Sequence, residues 1–226
     1  MSQEVENLIA LALFFKFPEK GKVKTRLASS LGKRGATFIY KYLLKQTIKN
    51  LEKFKENARR ESKLYLFGFY EGRISSVDLG VFAFKQKWLF LPQVGKNLGE
   101  RLFSGTKLLF ELGFEGVILL GADCPFIDVP YLNQALEALR FCPIVIGPAL
   151  DGGYVLLGVR QDFRENLPLL FQGLPFETSY LLKETLSRLP EGSCILLPPL
   201  FDIDYPKDLL RWFWRKFKSG FFLSKA

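Results

Sequence analysis

Four stretches of this 226-residue chain hold residue types suited to phosphate, metal or proton-transfer chemistry. Residues 15–27, FKFPEKGKVKTRL, place Gly21 among Lys16, Lys24 and Arg26. Backbone N–H groups around a glycine can wrap a phosphate, and the cations can neutralise it. The planar Arg26 guanidinium suits a bidentate phosphate contact. The spacing is not that of a Walker A loop, and a surface turn is the competing reading. Residues 121–125, GADCP, put Asp123 directly after the apolar run GVILL. A carboxylate there, stiffened by Pro125, is placed to hold a divalent ion, or to serve as a turn or cap residue. Residues 147–154, GPALDGGY, offer Gly152 and Gly153 for close approach of backbone to ligand. Asp151 can bind a substrate hydroxyl, support a metal or act as a base, unless Asp-Gly is only a hairpin turn. In FDIDYPKDL (201–209), only one of Asp202 and Asp204 is expected to serve a given site. The alternative is a helix start, with Asp204 as cap and Pro206 early in the helix. Asn97, in QVGKNLGERL, is a further polar candidate at a helix start, where it can also be simply a cap.

Composition narrows the chemistry. There is no histidine, which removes Ser-His and Cys-His nucleophile systems and the commonest metal ligand. Any metal must then be held by oxygen, which favours Mg²⁺ or Mn²⁺. Cys124, Cys142 and Cys194 lack CxxC spacing, so a zinc site and a disulfide framework are unexpected and a reducing compartment fits. No apolar run approaches the roughly 20 residues of a membrane span. Glu4 and Glu6 stand where a cleavable leader would be basic, so a cytoplasmic protein is expected. The net charge of +9 is uneven: residues 16–60 carry 14 basic and 3 acidic side chains. Such a segment suggests an anionic partner, although a lysine-rich helix can be merely a solvated face.

Elements to position these residues follow from periodicity. Strands are expected at Leu8–Phe15, Lys63–Tyr70, Trp88–Leu91, Gly116–Leu120, Ile144–Pro148, Tyr154–Val159 and Cys194–Leu197, with a short extended piece at 81–84. Helices are expected at Gly35–Lys55, Leu98–Leu112, Val129–Arg140, Thr178–Leu189 and Lys207–Lys218. Alternation of the two predicts one α/β domain with a mainly parallel sheet covered by helices on both faces. The Asp-Gly-Gly stretch between strands predicts a local antiparallel excursion. The motifs fall at strand carboxyl ends, where open α/β sheets bind ligands.

Five motifs in order, FFKFPEKGKVKTRL, QVGKNLGERL, GADCPFI, GPALDGGYVLLG and FDIDYPKDLL, make the chain resemble the DUF2064 family of bacterial glycosyltransferase-like proteins. The resemblance runs from about residue 8 to residue 210. Ile127 replaces a usual leucine, and Phe176-Glu177-Thr178 replaces a tryptophan-centred segment. It implies a GT-A-like, nucleotide-diphospho-sugar transferase fold, similar to that of cofactor guanylyltransferases. Carried over by motif, it implies Lys16, Gly21, Lys24 and Arg26 for nucleotide phosphates, and Asp123 and Asp204 for Mg²⁺ or Mn²⁺; Asn97 joins the nucleotide-phosphate candidates from its own position. From the residues themselves, Gly152, Gly153 and Tyr154 are the substrate candidates and Asp151 the catalytic one.

The expected activity is glycosyl transfer from a nucleotide-diphosphate sugar to a small-molecule acceptor. The alternative is nucleotidyl transfer from a nucleoside triphosphate to a phosphorylated acceptor. Nucleic acid is not expected as a partner. Residues 209–222, LLRWFWRKFKSGFF, mix aromatic and basic side chains as an interfacial helix does, although packing on the core is the simpler use.

Overall fold

The computed structural model describes residues 7–58, 62–72 and 87–223, with side chains as far as residue 214. Strands β1 (Asn7–Lys16), β2 (Ser62–Glu71), β3 (Trp88–Pro92), β4 (Gly116–Gly121), β5 (Ile144–Pro148), β6 (Tyr154–Arg160) and β7 (Cys194–Leu196) join one sheet. Their order is β3-β2-β1-β4-β6-β5-β7. Every pairing is parallel except those of β6, which is antiparallel to β4 and β5. The excursion expected at Asp-Gly-Gly is the β5–β6 turn.

β1 is apolar from Leu8 to Phe15, as suits a strand covered on both faces. Leu11, Leu13 and Phe15 pack toward helices α1 (Thr25–Glu56) and α3 (Val129–Phe141). Ala10, Ala12 and Phe14 face α2 (Leu98–Glu111) and α4 (Leu167–Phe171), with α5 (Leu181–Arg188) packed against the same layer. A final helix, α6 (Pro206–Leu223), lies on α1 through Leu209 and Trp212, which meet Leu27, Ala36 and Leu43.

Several boundaries differ from expectation for local reasons. α1 begins at Thr25 rather than Gly35, because a first helical piece joins the second across a kink at Gly32 (φ 67°, ψ 164°). That backbone geometry is easy only for glycine. α5 begins at Leu181 rather than Thr178. Thr178 instead closes a turn, donating to the Pro175 carbonyl (2.7 Å) and accepting from Tyr180 N–H (3.3 Å). The 3₁₀ turn Gln161–Asn166 and the five-residue α4 had no periodic signal to betray them. The piece expected at 81–84 lies outside the described residues.

The topology fixes where ligands can enter. From β1 the chain moves outward through β2 and β3, then crosses back to place β4 on the other side of β1. The chain leaves β1 for α1 and β4 for α3, both on the same face, so the loops after β1 and β4 lie side by side and bound a crevice at the sheet's carboxyl edge. α2 comes close enough to the sheet beside this crevice only because Gly105 has no side chain. A Cβ there would stand 2.8 Å from Phe14 Cζ and 3.3 Å from Phe69 Cε1, two rings stacked at 4.7 Å. Overpacking costs roughly 1–3 kcal/mol, and alanine's better helix propensity returns up to about 1 kcal/mol. Gly105→Ala is therefore expected to lower Tm by roughly 2–6 °C. A calorimetric Tm at or above wild type would show that α2 moves away without penalty.

Candidate active site

The loop after β1 returns to the sheet edge and ends at Lys24, the residue before α1. Lys24 has left-handed backbone angles (φ 49°, ψ 50°) and caps nothing with its side chain. Its Nζ lies 2.7 Å from Asp204 Oδ1 and 3.2 Å from Asp123 Oδ2, and its side chain is only 3% exposed. Burial alone would lower the lysine's pKa. The charges and hydrogen bonds of Asp123 and Asp204 outweigh it and leave the pKa raised, so the group is a firm ammonium. Arg26 Nη1 reaches Asp204 Oδ2 at 3.0 Å from the solvent side, with its guanidinium 5.5 Å from the Tyr205 ring centre.

Asp123 is the second residue beyond β4. The capping role in this loop belongs to Asp128, which accepts from Tyr131 N–H at 3.0 Å and leaves Asp123 unspent. The Asp123 side chain is partly exposed as a whole, yet its Oδ1 is buried and accepts no hydrogen bond. Ile203 N–H donates to the Asp123 carbonyl at 3.2 Å, which stitches the 201–204 segment to the β4 loop. Asp204 is not a helix cap either. Asp208 takes the N–H groups of Tyr205 (2.7 Å) and Asp204 (3.2 Å), so the Asp204 carboxylate is left for the two cations.

The expectation that only one of the paired acids faces the site fails. Residues two apart in an extended segment share a face, and Ile203 between them is the one buried in the core. Burial first, then the charges of Asp204 and Asp151, push the Asp202 carboxyl up to about 6, with Lys24 acting the other way. Asp202 therefore belongs to the same charged cluster. The i, i+2 spacing of the two acids was the available signal for it.

Other expected residues stand around this centre rather than in it. Asp151 sits in the β5–β6 turn, where its Oδ1 accepts from Gly153 N–H at 3.0 Å. Gly152 has φ 93°, and a Cβ on it would stand 2.1 Å from the Ser179 carbonyl oxygen. Gly153 supplies that N–H. Tyr154 turns away from the crevice. Its ring meets Phe176 edge-on at 6.5 Å, and burial drives its hydroxyl pKa upward. Its place is under the loop, against the α4–α5 layer. Gly21 (φ 83°) turns the β1 loop back over the Lys33 side chain.

Lys16, at the carboxyl end of β1, and Asn97, at the start of α2, form part of a second group of polar residues around Glu71 at the end of β2 and the α2 N-terminus. Lys16 Nζ lies 3.4 Å and Arg101 Nη1 2.8 Å from Glu71 Oε2. Partial burial works to raise the Glu71 pKa, but Arg101 and Lys16 outweigh it and hold the carboxyl below its usual range. Asn97 caps α2: its Oδ1 accepts from Glu100 N–H at 2.9 Å and its amide donates to Glu100 Oε1 at 3.0 Å. Between α2 and α4 lies a cleft of about 440 Å³ lined in part by Asn97, Glu100, Phe103 and Gln172.

The chain is similar to a Desulfovibrio desulfuricans G20 protein provisionally named a nucleotide-diphospho-sugar transferase. The two share 28% identity over 87% of this chain and 82% of that one, at a TM-score of 0.73. Fold likeness extends to a 4-diphosphocytidyl-2C-methyl-D-erythritol synthase of Anaerococcus prevotii DSM 20548, at 10% identity, coverage of 91% and 96%, and TM-score 0.59. It extends also to glucosyl-3-phosphoglycerate synthase of Mycobacterium tuberculosis, solved with Mn²⁺, UDP and glucosyl-3-phosphoglycerate. That pair has 12% identity, coverage of 92% and 76%, and TM-score 0.53. No curated protein matches the chain.

Sheet order, crevice and likenesses define an enzyme of the transferase class with the nucleotide-diphospho-sugar transferase fold. The chain belongs to the DUF2064 family, described as uncharacterized and conserved in bacteria, whose pattern matches residues 51–178.

The raised Asp202 pKa has a consequence for stability. A carboxyl whose folded pKa lies above its unfolded value stabilises the fold below the unfolded value, about 4. That contribution is lost as pH rises through about 6. Asp202→Asn removes this dependence. In metal-free buffer the variant is expected to be more stable than wild type above pH 7, by roughly 1–2 kcal/mol after discounting for partial exposure. The difference should shrink toward pH 4. Parallel urea-denaturation curves for the two proteins across that range would contradict it.

Proposed function

We propose that this chain transfers a glycosyl group from a nucleotide-diphosphate sugar to a small hydroxylated acceptor, using a single GT-A-like domain. The observation that carries this reading is the crevice itself: Lys24, at the end of the loop after β1, lies between Asp123 and Asp204, and Arg26 in the first turn of α1 reaches Asp204, at the point where strand order reverses. Cations and oxygen ligands side by side suit a diphosphate and its counter-ion.

A divalent ion fits the residues present. Asp123 Oδ1 is buried without a hydrogen-bond donor, and the acids of the cluster outnumber its cations. Among the described residues, no three acidic or cysteine side chains converge to hold an ion alone. Mg²⁺ commonly uses one or two carboxylates and completes its shell with substrate phosphates and water, so Asp123 and Asp204 are sufficient anchors. When bound, Mg²⁺ or Mn²⁺ would neutralise charge on the diphosphate. That the fold accommodates such a pair is supported by the M. tuberculosis relative in fold, solved with Mn²⁺ and UDP.

The chain's own groups do the rest. Arg26, at the solvent edge, binds diphosphate oxygens and orients the donor. Lys24 adds its charge as the bond between the anomeric carbon and the β-phosphate oxygen breaks. The acceptor oxygen bonds to that carbon, and its proton passes to the Asp151 carboxylate in the turn beside the crevice. Gly152 and Gly153 keep that turn low enough for the acceptor to approach.

The test is a binding panel by calorimetry: UDP, GDP, CDP and ADP, their sugars and the triphosphates, with and without Mn²⁺. For the nucleotide that binds, Arg26→Ala is expected to weaken affinity about tenfold or more, since a charge-assisted hydrogen bond contributes roughly 1.5–3 kcal/mol. Arg26→Lys should recover only part, because a point charge lacks the fork. Asp123→Asn should abolish the Mn²⁺ dependence while the protein stays folded. Equal affinities for wild type and all three variants would remove this crevice from consideration. Pyrophosphate release from a triphosphate, with no turnover of nucleotide sugars, would replace glycosyl by nucleotidyl transfer.

A further inference from the structure

The α1–α6 pair presents a surface that the transferase chemistry does not use. Between Glu19 and Glu52 the sequence has no acidic residue, while lysines and arginines recur throughout. On α1, Arg34, Phe38, Tyr42, Lys45 and Lys49 follow one another at three- and four-residue intervals, and all are exposed. That spacing sets them along one outer face. On α6, Leu209 and Trp212 are buried against α1, whereas Leu210, Phe213 and Trp214 turn outward. The outward residues are 63%, 57% and 68% exposed, and Phe38 is 70% exposed. The two rows adjoin: the Tyr42 ring lies 5.4 Å from the Trp212 ring, which lies 5.1 Å from the Phe213 ring. Lys207 and Arg211 add exposed cations beside them.

We propose that this face is a docking surface for an anionic lipid bilayer. Large apolar and aromatic side chains clustered in the open mark an interaction site. A helix surface combining Trp, Phe and Leu with Lys and Arg is suited to the boundary between acyl chains and acidic headgroups. A second copy of the chain fits less well, because it would press two cationic faces together. A nucleic acid fits less well, because bases stack on aromatic rings and gain nothing from Leu210. α1 and α6 also begin at the crevice, with Arg26 and Asp204 at or beside their first turns. Docking therefore sets the crevice close to the bilayer. If the transferase reading holds, an acceptor carried on a lipid is within reach, but the docking itself does not rest on that reading.

The experiment is co-sedimentation of the full chain with phosphatidylcholine vesicles, with and without phosphatidylglycerol, at physiological salt. Binding is expected to the anionic vesicles and not to the neutral ones. Lys45→Gln with Lys49→Gln should reduce it about thirtyfold, at roughly a factor of five per basic residue. Phe213→Ser with Trp214→Ser should reduce it at least about tenfold, with Tm and nucleotide affinity unchanged in both pairs. These are exposed positions outside the crevice, so the variants should fold. Four results would each overturn the proposal: no sedimentation with anionic vesicles, unchanged binding in both variant pairs, a concentration-dependent dimer lost in the Phe213/Trp214 pair, or tighter binding to an RNA oligonucleotide than to anionic vesicles.

Discussion

The Lys24 ammonium, held between Asp123 and Asp204, is the interaction on which the crevice depends. A cation this deeply buried is tolerable only with its counter-charges in contact. Those counter-charges come from the loop after β4 and from the segment before α6, far away in sequence. One side chain thus fixes three loops relative to each other. The left-handed backbone at Lys24 costs on the order of 1 kcal/mol, and it persists because the ion pairs over-determine it. Without Lys24, Asp123 and Asp204 would lose the cation between them, with Arg26 at the rim as the remaining partner of Asp204, and like charges brought close raise each other's pKa.

Topology explains why these three loops meet. β1 is central, with β2 to one side and β4 to the other, so the loops after β1 and β4 bound the crevice directly. The third participant arrives because the chain beyond β7 continues along β5. Leu200 pairs with Ala149, and Leu150 N–H donates to the Leu200 carbonyl at 2.9 Å. That register carries Asp202 and Asp204 past the β5–β6 turn toward Asp123. The antiparallel β6 matters for the same reason: it holds the Asp151 turn at the carboxyl edge rather than the opposite one.

Strands were the most legible part of the chain, because runs such as LIALALFF and GVILL have the length and continuity of strands covered on both faces. Helix starts were less so. The break at Gly32 hid ten residues of α1, and the 3₁₀ turn with α4 is too short to develop a period. In the site, Lys24, Arg26, Asp123 and Asp204 could be picked out as a strand-end set, and the structure brings these four together. Lys16 and Asn97 could not be separated from them by sequence, since a lysine at a strand end reads the same whichever neighbouring carboxylate it meets. Glu71, which draws Lys16 aside, stands in no motif. Tyr154 illustrates a different difficulty: its side in β6 depends on the bulge between Gly147 and Pro148, and register irregularities leave no compositional trace.

α6 shows how one element can serve the site while leaving a face unclaimed. Asp208 caps the start of the helix, which spares Asp204 for Lys24 and Arg26. Leu209 and Trp212 then anchor the first turns to α1, so the carboxylate is positioned from both ends of a short segment. These duties occupy one side of the helix. A helix recruited only to hold Asp204 would be expected to be polar on its outer side. Leu210, Phe213 and Trp214 break that rule, and each exposed apolar side chain carries a cost in water. Among the described residues they stay exposed, on the surface proposed above to meet an anionic bilayer.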